Sequence, residues 1–130
     1  SGDLQVNYLE TAWNDRFHSD FGYQVNCASQ GCLQDVHWSV GLFGYFPTYS
    51  LGNVYAGCLY ETLRKNCPTL DNDLRVGNLS PATDWLRDSL QCHGALKLPR
   101  KTISDACGFE PSEEPLLAYL QGKFSDIYDL

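Results

Sequence analysis

A chain of 130 residues is long enough to bury a hydrophobic core within one domain. Apolar content of 43% with 13% aromatics excludes a disordered segment. A formal charge of −7 argues against nucleic acid or an anionic membrane as partner, since both are gripped by clustered Lys and Arg, and no apolar run approaches the roughly 18 residues of a membrane span.

The elements predicted along the chain are helical. Residues 7–20 carry Tyr8, Leu9, Ala12, Trp13 and Phe17, with Phe21 just beyond, at spacings of three to four, with Asn7 as N-cap and Gly22 as terminator. Residues 22–33 read as a loop. Pro47 opens a helix over 48–65, striped by Leu51, Val54, Tyr55, Cys58, Leu59, Thr62 and Leu63, with Arg64 and Lys65 suiting its C-terminal dipole. Pro68 stops it, and a short helix over 70–76 ends at Gly77. Ser80 and Pro81 read as N-cap and first helical residue of a helix to about 93, burying Trp85, Leu86 and Leu90, with Gly94 in the left-handed cap position. Pro99 opens a further helix that ends at Gly108. Ser112 is the predicted cap of the last helix, whose inner face is Leu116, Leu117, Leu120, Phe124, Ile127 and Tyr128. No strand alternation, repeat or linker accompanies these, so the chain reads as a single all-helical domain, 1–130.

Residues 34–46 fit neither period. Local irregularity of this kind marks functional or strained sites. Gln34 and Asp35 offer amide and carboxylate groups, and Asp35 can hold His37 in one tautomer by accepting from a ring nitrogen. His37 can then donate to a substrate carbonyl or carboxylate. Tyr45 and Tyr49 are candidate donors to a developing oxyanion. Gly41 and Gly44 let the backbone bend among them. Trp38, Phe43 and Phe46 read instead as packing aromatics.

The remaining signals are weaker. Cys27, Cys32, Cys58, Cys67, Cys92 and Cys107 are compatible with free thiols or with three disulfides. The run Cys27-x4-Cys32-x4-His37 raises a zinc reading, but its spacing is not that of a finger or ribbon and no second ligand pair follows. Cys58 is a small buried residue of a helix face. His18 and His93 read as structural, the pair Glu113-Glu114 as suiting a helix N-terminus, and Asn78-Leu79-Ser80 as a chance glycosylation match. No signal peptide is visible and there is no methionine, which points to a chain that begins after processing or as a cut piece. The expected compartment is intracellular, cytoplasm or organelle, rather than secreted.

The central stretch resembles the carboxypeptidase Taq family of thermostable zinc carboxypeptidases. The pattern Gly-x-x-Gln-Asp-x-His-Trp falls on residues 31–38, and Gly-x-Phe-Gly-Tyr-Phe-Pro-Thr-Tyr-x-Leu-Gly-Asn on 41–53. Ser80-Pro81, Trp85-Leu86, His93-Gly94 and the segment from Tyr119 to Tyr128 resemble the family's C-terminal helices, and the likeness covers essentially the whole chain. The resemblance implies an all-helical fold, a deep groove, dimerisation, and release of single residues from peptide C-termini by a zinc-activated water. It implies that Gln34, Asp35, His37, Tyr45 and Tyr49 line the substrate groove, with His37 and a tyrosine touching substrate. The family's zinc motif, His-Glu-x-x-His with a further glutamate, is missing from these residues, as is any segment with arginines to hold a substrate carboxylate. Zinc is therefore expected only together with the missing N-terminal part, and no catalytic residue is expected in this chain alone.

Three functions are compatible with this. The chain is the C-terminal portion of a zinc carboxypeptidase, completed by a protein partner or by the rest of the fold and inactive alone. Alternatively it is a non-catalytic structural or interaction subunit of a larger assembly derived from the family. A third reading is a secreted, disulfide-stabilised helical binding protein.

Overall fold

A computed structural model of the chain describes residues 2–130. Among these, all regular structure is helical, as expected. The α-helices are α1 (Leu9–Phe21), α2 (Val36–Ser39), α3 (Pro47–Asn66), α4 (Leu70–Arg75), α5 (Ser80–Ser89), α6 (Pro99–Cys107) and α7 (Glu114–Tyr128). Short 3-10 turns lie at Val6–Tyr8, Ala28–Gln30 and Gln91–His93. The chain, read from sequence as one domain, gathers into two compact units, one ending at Tyr45 and one running Phe46–Leu130.

In the first unit α1 stacks its own aromatics. Trp13 lies on Phe17 with centroids 4.9 Å apart, and Phe17 meets Tyr23 edge to face at 5.1 Å. The helix starts after the Val6–Tyr8 turn, so the N-cap position belongs to Tyr8 and not to Asn7. Gly22 ends it in the left-handed conformation, its N–H bonded to the His18 carbonyl at 2.8 Å. Gly31 is buried, with Asn14 Oδ1 and the Trp13 ring 3.2 and 3.3 Å from where a Cβ would stand.

The second unit is organised by α3, which packs against α6 and α7. Cys58 and Thr62 of α3, Leu70, and Thr102 and Ile103 of α6 are its buried residues outside the glycines. Both threonine hydroxyls donate back along their own helix, Thr62 to the Cys58 carbonyl at 2.9 Å and Thr102 to that of Leu98 at 3.3 Å. Gly57 is where α3 meets α7: a Cβ there would lie 2.8 Å from the Leu116 backbone.

Several caps differ from expectation. Ser80 is the first residue inside α5, Leu79 holds the N-cap position, and the Asn78 side chain accepts from the Ser80 N–H at 3.3 Å. Ser112 likewise lies ahead of the Glu113 N-cap of α7 and gives its carbonyl to the Cys58 thiol at 3.4 Å. α5 ends at Ser89, short of residue 93, and Gly94 takes φ 51°, ψ −131°, outside the left-handed helical region. The expected inner face of α7 is not buried: Leu117, Phe124, Ile127 and Tyr128 are exposed, with Leu116 and Leu120 half-buried. The stripe is present, but the described chain supplies no surface to cover all of it.

Candidate functional site

The segment 31–45 is built around α2. Asp35 is its N-cap: Oδ1 accepts from the His37 backbone N–H at 2.8 Å. The same oxygen lies 2.7 Å from His37 Nδ1. Both side chains are largely shielded, at 14% and 19% exposure, so this bond is made in a partly dry setting. A carboxylate accepts only, so Nδ1 carries the proton in this pair. The neutral imidazole then has its lone pair on Nε2, and the imidazolium presents an Nε2–H. Asp35 thus fixes the ring through Nδ1.

Tyr45 completes the arrangement, its ring stacked on the His37 imidazole at 5.1 Å and 25°. Eight residues of chain must fold back for this, and Gly41 (φ 78°) and Gly44 (φ 72°) supply the two positive-φ steps that do it. The structure therefore brings Asp35, His37 and Tyr45 together. Gln34 is exposed beside them, its N–H bonded to the Gly31 carbonyl at 3.0 Å. Tyr49 belongs to the second unit, in the first turn of α3, where it faces Phe46 with centroids 5.9 Å apart. The packing role expected of Phe43 and Phe46 does not hold within this chain, where they are 74% and 50% exposed; Trp38 is half-buried.

Among the described residues no group of three or more His, Cys, Asp or Glu converges. His37 Nδ1 is engaged by Asp35, and Cys27 Sγ lies 3.2 Å from the Ser29 hydroxyl, so the Cys27-x4-Cys32-x4-His37 run does not make a zinc site. The described residues do not fit a catalytic zinc either. All six cysteines are free. The Ser29 hydroxyl and the backbone N–H groups of Gln30 and Ser29 pull the exposed Cys27 thiol below its ordinary range, whereas burial pushes Cys107 up. No helix among the described residues is long and apolar enough to cross a membrane.

Sequence reasoning missed two positions. Asn14 Oδ1 is buried with no hydrogen-bond partner among the described residues, and Gly57 sets the approach of α3 to α7. An asparagine and a glycine inside apolar-striped helices were the available signals.

The all-helical chain thus holds a carboxylate-anchored histidine beneath a tyrosine ring. The sequence profile of the carboxypeptidase Taq (M32) metallopeptidases matches residues 1–124, and the chain belongs to that family. It is 37% identical over 128 residues to carboxypeptidase 1 of Bacillus subtilis, covering 98% of this chain and 26% of that protein. It is 35% identical to thermostable carboxypeptidase 1 of Thermus thermophilus, covering 98% and 25%. Superposed on the crystal structure of the M32 carboxypeptidase from Deinococcus radiodurans, it gives a TM-score of 0.94 at 32% identity, covering 99% of this chain and 26% of the other. The chain thus spans about a quarter of the length of the relatives it matches.

Proposed function

We propose that this chain is the C-terminal portion of a zinc metallocarboxypeptidase, that it contributes substrate-groove residues, and that it does not hydrolyse peptides alone. The observation that supports this best is the Asp35–His37 pair stacked on Tyr45, in a family member that spans a quarter of its relatives. In this reading His37 Nε2 binds the carbonyl or terminal carboxylate of a peptide, donating its proton when the ring is charged. Asp35 acts through His37 as a positioning residue, fixing tautomer and ring angle. The phenols of Tyr45 and Tyr49 are further donors, and Gln34 lines the groove. Zinc and the base that handles its water come from the part of the fold outside these residues, supplied in the same polypeptide or by a partner, with homodimerisation of the completed fold. Six free thiols suit a reducing intracellular compartment.

The test uses the complete fold, in one chain or with the missing portion added. His37→Gln should lower kcat/KM for release of a C-terminal residue about 100-fold, the loss typical of one donor to a developing oxyanion, with bound zinc unchanged. Undiminished kcat/KM in that variant would remove His37 from the groove.

A second reading, a non-catalytic subunit of a larger assembly, draws on the extent of apolar exposure on α7. A natural assembly that contains this chain, holds no zinc and trims no peptide would establish it in place of the first.

A further inference from the structure

α3 and α7 flank an open, largely apolar groove. Gly57 draws the two helices together, and beside that contact they open a groove of about 470 Å3. α3 turns Asn53, Ala56, Gly57 and Tyr60 into it, an i, i+3, i+4, i+7 face. α7 adds Leu116, Tyr119 and Leu120, and Tyr60 meets Tyr119 edge to face at 5.2 Å. Asn53 is the one amide among these lining groups, and the rest are apolar or aromatic. Two helices that each present such a face to a shared trough offer the ridges and grooves against which a further helix packs. Apolar exposure continues along α7 through Phe124 and Ile127.

Resting on the reading of the chain as one portion of a larger carboxypeptidase fold, we propose that this groove receives an apolar-striped helix from the part of that fold outside residues 1–130. The length of the relatives favours this occupant over a second copy of the chain. The relatives are long enough to supply it, since the chain spans only 26% of the Bacillus protein. The accessible surface of 9759 Å2 also exceeds the roughly 8,200 Å2 that two separate compact bodies of about 45 and 85 residues would expose together. That margin, on the order of 1,500 Å2, is more than the roughly 800 Å2 each partner gives to an ordinary protein interface.

The experiment is hydroxyl-radical footprinting and photo-crosslinking of the complete protein that carries this chain. Tyr60 and Tyr119, corrected for intrinsic reactivity, should label at least about fivefold more slowly than the exposed references Val76 and Leu96, as residues sealed in an interface do. A photo-crosslinking amino acid at position 56 should attach to a helical segment outside residues 1–130. Labelling of Tyr60 and Tyr119 as fast as the references would overturn the proposal. So would attachment to residues 1–130 of a second copy. Ala56→Gln, polar and larger, should raise labelling of Tyr119 while the zinc content stays constant; a variant that binds no zinc is replaced by Ala56→Ser. The catalytic reading fails separately, through His37→Gln kinetics, so the two outcomes are distinguishable.

Discussion

The α3–α6–α7 core and the α2 segment are held together in different ways. The first is ordered by volume: Cys58, Thr62, Thr102 and Ile103 are buried between helices, and a glycine sets the spacing of α3 and α7. The second is ordered by direction: one carboxylate oxygen, two bonds to one histidine, and a stacked ring, with most neighbours exposed. Close packing resists changes of size, because few voids exist to absorb them. A directional cluster tolerates changes of size around it and fails when an acceptor is removed. The candidate site is thus the part of the chain that depends least on its own core.

That contrast can be broken by substitution. Ile103→Ala should cost about 3 kcal/mol in the denaturation midpoint of the protein, through lost burial and the cavity left behind. Gly57→Ala should cost about 2 kcal/mol by the same measurement. Its Cβ would meet Leu116 backbone at 2.8 Å, which outweighs the roughly 1 kcal/mol by which alanine is the better helix former. Asp35→Ala should cost about 1 kcal/mol, as expected for loss of an N-cap, while freeing the His37 ring to rotate. NMR of the ring protons should show that freedom, and an imidazole still locked in one rotamer would contradict the directional account. Both core variants should leave that ring in place.

The smallest effect is expected on the surface of α6. Asp105 is held between Lys101 and Lys97, each at 2.6 Å, and these hydrogen bonds pull its carboxyl from the ordinary 3.8 down to about 2. A carboxylate with a depressed folded pKa stabilises above its unfolded value, and that contribution is lost as pH falls from about 4 to about 2. Asp105→Asn should remove that contribution, lowering stability slightly at neutral pH and flattening the profile between about pH 4 and about pH 2. A variant whose acid limb overlays the parent would show the pair to be fully screened.

Much of this was legible from the residues, where the determinant is local. Pro47 and Pro99 begin helices, and Gly22 and Gly108 end them in the left-handed conformation, because each acts through its own backbone angles. The Asp35–His37 bond was legible for the same reason, since a single residue separates its partners. Ser80 and Ser112 misled because a cap is a competition: at α5 the Asn78 side chain, two residues earlier, accepts from the Ser80 N–H. The burial of α7 was not legible at all. A stripe predicts that a face will be covered, but the covering surface must exist, and for Phe124 and Ile127 these residues do not contain it. Nor could spacing say that Tyr45 would lie on His37 while Tyr49 fell in another unit: two positive-φ glycines turn the chain back between His37 and Tyr45, and the start of α3 lies between Tyr45 and Tyr49.

Asp35 Oδ1 carries a consequence of its own. It accepts from the His37 backbone and from the His37 ring at once. The cap of α2 and the anchor of the imidazole therefore rest on a single atom. One change at position 35 removes both, so the start of the helix and the aim of the ring are lost together rather than in turn.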